Sequence, residues 1–140
     1  MTVPRRQVLV AAAGAVLLSP ASATETQVAA LIKELVGDAT LREGRVKLDI
    51  PLLVENGNAV PITVSVDGPN RVRSLHVFAE RNPLPNVANF YFGPRAGPAK
   101  VSTRMRLATS QTVVAVAKLA DGSCWMDRIE LIVTLAACVE

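Results

Sequence analysis

Residues 46–68, VKLDIPLLVENGNAVPITVSVDG, decide the fold class of this chain. Apolar and polar residues alternate along both halves of the stretch, which is the period of a strand that buries one face. Asn56, Gly57 and Asn58 separate the halves, and residues of this kind form the turns of hairpins. The stretch therefore predicts two antiparallel strands joined by a turn.

The two-residue period continues toward the end of the chain. Five further segments are strand candidates: 71–80, 86–93, 99–108, 111–120 and 123–135. The clearest is 99–108, whose inward face would consist of Val101, Thr103, Met105 and Leu107. Short strands with turn signals about every eight to twelve residues are typical of an antiparallel β-sandwich. We therefore predict an all-β sandwich of six or seven strands.

One helix is predicted before the strands, in residues 24–36. Four apolar residues recur there at the spacing of one helical face: Val28, Leu31, Ile32 and Leu35. Thr24 and Gln27 have the spacing of a capping box, and Gly37 is a residue that commonly ends a helix. The sandwich should therefore follow a short amphipathic helix.

Residues 1–23 have the pattern of a cleavable export signal. Arg5 and Arg6 precede an apolar run, and Ala21, Ser22 and Ala23 form a small-x-small cleavage site. The run, residues 8–18, is too short to cross roughly 30 Å of hydrocarbon as a helix. Paired arginines before such a run indicate the twin-arginine route, which exports folded proteins.

The charge of the remaining chain excludes some classes of partner. Without residues 1–23, 117 residues remain, which is the size of one domain with one core. The net charge falls from +3 to +1, because the segment holds two of the fifteen basic residues and no acidic one. This balance gives no argument for nucleic-acid binding, and no second apolar segment is long enough to span a bilayer. We expect a soluble exported domain that binds neither nucleic acid nor membrane.

The two cysteines are predicted to be separate thiols. Cys124 and Cys138 are 14 residues apart, so an extended chain would separate them by roughly 46 Å. A disulfide requires Cα atoms within about 7 Å. Cys124, beside Trp125, is interpreted as a small buried hydrophobic residue.

Cys138 stands two residues from the end of the chain, beyond the last predicted strand. The three residues that follow Leu135 span roughly 10 Å, enough to enter the cleft of another protein. An unperturbed thiol is only about 3% thiolate at pH 7, so a partner would have to activate it. Cys138 is either an incidental thiol or an attachment point for a covalently held group.

His76 is the only histidine of the chain, and it shares a strand face with Ser74 and Phe78. A zinc or copper site needs three or four ligands, so a structural or surface role is favoured over metal binding. A nucleophilic pair of Cys138 and His76 stays open, because such pairs meet only in the fold. The sequence contains no nucleophile elbow, phosphate-binding loop or metal motif. We predict neither a self-sufficient enzyme nor a cofactor.

Several segments in collinear order resemble one family. They are LLVENGNAVPITVSVDG (52–68), HVFAERNPLPNVANFYFGP (76–94), AKVSTRMRLATSQTVVAVAKLADGSCWM (99–126) and IVTLAAC (132–138). These segments are similar to the SoxY family, the sulfur-carrier subunit of bacterial thiosulfate oxidation. The resemblance covers nearly all of the chain after the export signal, and the double-arginine leader is also typical of the family.

The resemblance implies an immunoglobulin-like sandwich in residues 41–135, after an N-terminal helical segment in residues 24–40. It implies a periplasmic heterodimer with a SoxZ-like subunit and a carrier arm in residues 136–140, with Cys138 as the attachment point. The implied partners are a haem-containing enzyme that couples thiosulfate to the cysteine, a hydrolase that releases sulfate, and a sulfane dehydrogenase. On this reading, the chain is a carrier protein on which other enzymes act.

The arm departs from the Gly-Gly-Cys-Gly-Gly pattern of the family. Around Cys138 this chain has Ala136, Ala137, Val139 and Glu140. Alanine and β-branched valine remove backbone freedom that glycine provides, and added negative charge raises the pKa of a thiol and repels anions. The expected function is a covalent sulfur carrier. The alternatives are a divergent SoxY-like binding or structural subunit and a thiol-dependent hydrolase.

Overall fold

The computed structural model describes residues 20–69 and 71–135, with side chains from Thr26 onward. Arg5 and Arg6 of the predicted export signal and residues 136–140 of the predicted arm lie outside the described residues. The predicted roles of Cys138, of its neighbours in the arm and of the signal therefore stay predictions.

The described part of the chain contains one helix and nine strands. In chain order they are α1 (Pro20–Val36), β1 (Leu41–Glu43), β2 (Val46–Asp49), β3 (Leu53–Val54), β4 (Val60–Val66), β5 (Val72–Ala79), β6 (Asn86–Tyr91), β7 (Lys100–Met105), β8 (Gln111–Leu119) and β9 (Cys124–Val133). The predicted fold class, an all-β sandwich behind a short helix, is confirmed. The five predicted strand segments after residue 70 coincide with β5 to β9.

The strands form two sheets. The larger sheet has the order β1-β9-β8-β5-β6, with β3 beside β9, and the smaller sheet has the order β2-β4-β7. The long strands pair antiparallel, whereas β1 and β3 run parallel to β9. The sequence did not predict these two short strands, because two or three residues are too few to show an alternating pattern.

The opening stretch, residues 46–68, pairs as predicted only at its ends. β2 and β4 are antiparallel, in a register that runs from Val46 opposite Val66 to Asp49 opposite Thr63. The segment between them contains Pro51, which has no N–H to donate to a strand ladder. After it the chain crosses to the larger sheet as β3, so the strands that flank residues 56–58 belong to different sheets.

The main core lies between the two sheets. Its fully buried members include Leu75, Leu107, Val60, Val113, Ala115 and Leu131. Met105 and Leu107 of the predicted inward face are buried, but Thr103 is exposed on the edge strand β7. Asp127 links the sheets, because its Oδ2 accepts a hydrogen bond of 2.9 Å from the backbone N–H of Leu48.

Helix α1 covers the opposite face of the larger sheet. Val28 is 1% exposed, and the helix face that the sequence predicted packs on Phe78, Val114 and Val116. Strand β8 is therefore buried on both faces, which accounts for its continuous apolar run. The helix ends at Gly37, whose φ of 63° is favourable for glycine and whose N–H donates to Lys33 O at 2.9 Å. Within the described ranges, no helix has the length and apolar character that a membrane crossing needs.

Candidate functional site

The last described residues of the chain are fixed by backbone hydrogen bonds. Ile132 donates to Leu52 O at 2.9 Å, and Thr134 donates to Val54 O at 2.9 Å. The carbonyl of Leu135 accepts a bond of 2.8 Å from the N–H of Gly57. The chain is therefore held in place up to three residues before Cys138. Residues 134–135 and the segment 52–57 that binds them are called the arm root below.

Two hydroxyl groups strengthen this attachment. The side chain of Thr134 donates to the carbonyls of Val54 and Glu55, at 3.3 and 3.2 Å. Ser110, in the loop after β7, accepts a bond of 2.8 Å at its Oγ from the N–H of Val133. Sequence reasoning missed these contacts, because the bonded residues are 23 to 80 positions apart and have no local pattern.

Cys124 is the first residue of β9, at the end of the strand that is remote from the arm root. It is 1% exposed, and burial raises the pKa of its thiol. Nine residues of strand place it about 30 Å from Val133, so the five residues from Val133 to Cys138 cannot bring the two sulfurs within bonding distance. Cys124 is a protonated core residue, as the sequence predicted.

His76 is 5% exposed and has a hydrogen-bond partner at each ring nitrogen. Nδ1 lies 2.7 Å from Asn89 Oδ1, and Nε2 lies 2.9 Å from Ser74 Oγ. The amide oxygen can only accept, so Nδ1 carries the proton and Nε2 accepts from the serine hydroxyl. Burial lowers the pKa of His76, although the bond to Asn89 opposes this. His76 is therefore a structural residue, one of the two roles that the sequence favoured.

The strand register bounds the distance between His76 and the arm. His76 is opposite Val116, which is opposite Met126 of β9. Met126 precedes Val133 by seven residues, or about 23 Å of strand, and two strand spacings add about 10 Å across the sheet. Because the three residues after Leu135 span roughly 10 Å, the geometry gives no support to a Cys138–His76 pair.

We expect the buried imidazole to give the folding stability a specific pH dependence. Its pKa is lowered in the folded state, so the unfolded chain binds a proton more readily below about pH 6.5. The contribution of neutral His76 to the free energy of unfolding is fully present above pH 6.5. It is lost as the pH falls toward the folded-state pKa of His76. The loss is at most about 1.4 kcal/mol per pH unit for one proton.

The measurement is urea unfolding between pH 7.5 and pH 5, with His76→Gln as the comparison variant. The unfolding free energy of the wild type should fall more steeply over this range than that of the variant. Equal slopes would show that His76 does not resist protonation in the fold.

Comparison with protein families identifies what the chain is similar to. The family model described as "Sulfur oxidation protein SoxY" matches residues 32–138, a range that includes Cys138. The solved structure of the sulfur carrier protein SoxY from Chlorobium limicola f thiosulfatophilum is 30% identical, with a TM-score of 0.68. The match covers 79% of this chain and 98% of that one. No curated protein matches the chain.

Other similar structures share the fold alone. A superoxide reductase (neelaredoxin) from Ignicoccus hospitalis is 22% identical over 64% of this chain and 80% of that chain, with a TM-score of 0.55. A superoxide reductase from Nanoarchaeum equitans is 14% identical over 66% of this chain and 100% of that chain, with a TM-score of 0.54. At these identities the similarity concerns the architecture of the sandwich. In the part of the chain that the structure describes, no three His, Cys, Asp or Glu side chains are grouped as metal ligands.

Proposed function

This chain belongs to the SoxY family, and from that premise we propose that it carries sulfur covalently on Cys138 while partner enzymes carry out the chemistry. A role in sulfur oxidation follows from the family. The proposal of covalent attachment rests mainly on one observation: after β9 the chain is hydrogen-bonded as far as Leu135, and three further residues reach Cys138. The other cysteine, Cys124, is buried at the far end of the strand.

The loading step joins the sulfur of Cys138 to the outer sulfur of thiosulfate. The thiol releases its proton, a sulfur–sulfur bond forms, and two electrons leave the reacting pair. We assign these electrons to a haem-containing coupling enzyme. Because only about 3% of an unperturbed thiol is ionised at pH 7, the same enzyme must also favour the thiolate.

Unloading proceeds in steps on the same sulfur. Water cleaves the bond to the sulfonate group, which releases sulfate and one proton and leaves a protonated persulfide, –S–SH, on Cys138. A sulfane dehydrogenase oxidises the remaining sulfur with water as the oxygen source and passes the electrons to its own acceptor. A second hydrolysis then releases sulfate and restores the thiol. In this scheme the chain itself holds the sulfur intermediates on Cys138 and presents them to the partner enzymes.

The family implies a SoxZ partner in general, and we propose that the exported form is a heterodimer with a SoxZ-like subunit. Residues 1–23 would direct it to the periplasm through Arg5 and Arg6 and would then be removed. Residues 24–40 would contribute the N-terminal helix, residues 41–135 the sandwich and residues 136–140 the arm. The twin-arginine route suits this scheme, because a subunit without a signal can cross with its folded partner.

The test is stoichiometric loading. The mature heterodimer is incubated with its coupling enzyme and thiosulfate, and the intact mass of this subunit is measured. We expect one thiosulfate adduct per chain. A variant with a Gly-Gly-Cys-Gly-Gly arm serves as the positive control, and it should load at least as fast, because glycine removes the Cβ atoms beside Cys138.

The opposite result has a definite meaning. If the glycine-arm variant loads and the natural arm stays unmodified under the same conditions, Ala136, Ala137, Val139 and Glu140 prevent carrier function. The chain would then be a divergent SoxY-like binding subunit, the alternative that the departure of its arm from the family pattern favours.

A further inference from the structure

Exposed apolar side chains are concentrated at one end of the sandwich. In the described part of the chain, six large apolar or aromatic side chains are 59% or more exposed: Leu52, Leu53, Leu84, Tyr91, Ile132 and Leu135. All except Tyr91 lie at the end from which the arm leaves. Tyr91 is opposite Ser74, at the other end of β5. This asymmetry indicates a function for the arm-root end, because contiguous apolar surface on a soluble protein commonly marks an interaction site.

Four of these residues lie on the two backbone segments that are hydrogen-bonded to each other at the arm root. Leu53 of β3 and Ile132 of β9 are register partners in parallel strands, so their side chains stand side by side on one face. They are 60% and 59% exposed. The carbonyl of Leu52 accepts the backbone bond of Ile132, and Leu135, the last residue that the structure describes, accepts a bond from Gly57. Leu52, Leu53, Ile132 and Leu135 are called the apolar collar.

The collar continues into a shallow groove of about 370 Å³. The apolar residues that line it are Pro51, Leu53, Val54, Ala59, Val60 and Pro61. Only the floor of the groove is part of the core, since Val54 and Val60 are buried whereas Pro51 and Pro61 are exposed. The arm root thus has an apolar rim and an adjacent concave surface that a partner could fill.

We propose that the apolar collar is the docking surface for the enzyme that loads Cys138, an inference that rests on the proposed carrier function. The length of chain beyond Leu135 identifies the occupant. Three residues span roughly 10 Å, so an enzyme whose reacting centre meets the Cys138 sulfur must approach Leu135 closely. The rim of its cleft then lies on the collar. The partner then has a cleft about as deep as the arm is long, with an apolar rim.

The test compares loading rates of neutral variants in the heterodimer. The double variant Leu53→Thr/Ile132→Thr removes apolar surface, adds no charge and keeps β-branched residues in both strands. The matched control is Tyr91→Thr, which removes a side chain at the remote end that is 76% exposed, more than Leu53 or Ile132. The rate of loading is measured by intact mass spectrometry, at coupling-enzyme concentrations low enough that the enzyme limits the rate. The rate at which the thiol reacts with a small maleimide is measured in parallel.

We expect the ratio kcat/KM for loading to fall about tenfold or more in the double variant. It should stay within about twofold in Tyr91→Thr, and the maleimide rate should be unchanged in both. Unchanged loading of the double variant would overturn the docking surface. So would loss of the SoxZ-like subunit from the double variant, because the collar would then be the subunit interface. If the wild-type protein itself were never loaded, that result would contradict the proposed carrier function, on which the docking surface rests.

Discussion

Cys138→Ser is expected to abolish loading by thiosulfate, whereas Cys124→Ala is expected to leave one adduct per chain. The expectation follows from the positions of the two residues along β9. Cys124 is 1% exposed at the start of the strand, and burial raises its pKa. It can reach neither solvent nor an enzyme without local unfolding. The chain is hydrogen-bonded as far as Leu135, and Cys138 follows three residues later, so we expect Cys138 to be the thiol that a partner reaches.

The two thiols should also differ in their reaction with small reagents. In the native protein, one equivalent of maleimide should react rapidly, and Cys138→Ser should remove this phase. The remaining Cys124 should react at least about a hundredfold more slowly, at the rate at which the fold opens locally. Alanine is the appropriate control at position 124, because serine would bury a hydroxyl group in the core. Persistent thiosulfate loading in Cys138→Ser would contradict the proposed function.

Leu131→Ala is expected to lower the unfolding free energy by about 2–5 kcal/mol. Leu131 is 1% exposed and belongs to the core between the sheets, so truncation would lose apolar burial and leave a cavity. The adjacent Ile132 points outward and is 59% exposed. Ile132→Ala should therefore change the unfolding free energy by less than about 1 kcal/mol.

Urea unfolding of the two variants at pH 7.5 measures this difference on neighbouring residues of one strand. The comparison tests the orientation of β9, and therefore the side of the sheet on which the apolar collar lies. Similar losses for both variants would mean that Ile132 is covered in the protein as it exists in solution. A much smaller loss for Leu131→Ala would contradict the register of β9.

The long strands could be predicted from the sequence because several bury one face and show a two-residue period, while β8, buried on both faces, shows a continuous apolar run. In the predicted hairpin of residues 46–68, the residues just before the turn were expected to pair with β4. They form β3 instead, which crosses to the other sheet, because its pairing depends on a distant partner, Ile132 of β9. Pro51 was the available signal that the first strand ends early. The parallel pairing of β1 with β9 is equally non-local and left no pattern in the sequence.

The candidate site could be predicted in part. The location of Cys138 beyond the last predicted strand pointed to it without any structure. The arm root could not be predicted, because Ser110 and Thr134 bind backbone groups far away in sequence. The apolar collar could not be predicted from the sequence for a different reason. Leu52 and Leu53 stand in an apolar run that is expected to be buried, and only the structure shows that Val54 alone of the three is in the core.

The most direct test of the central claim is fragmentation mass spectrometry of the C-terminal peptide. The protein is isolated from its own cells, supplied with thiosulfate, under conditions that preserve sulfur adducts. The proposed function predicts a peptide that extends to Glu140, with thiosulfate-derived sulfur on Cys138 and none on Cys124. An intact peptide whose Cys138 is always unmodified, or a chain cut before residue 138, would contradict it.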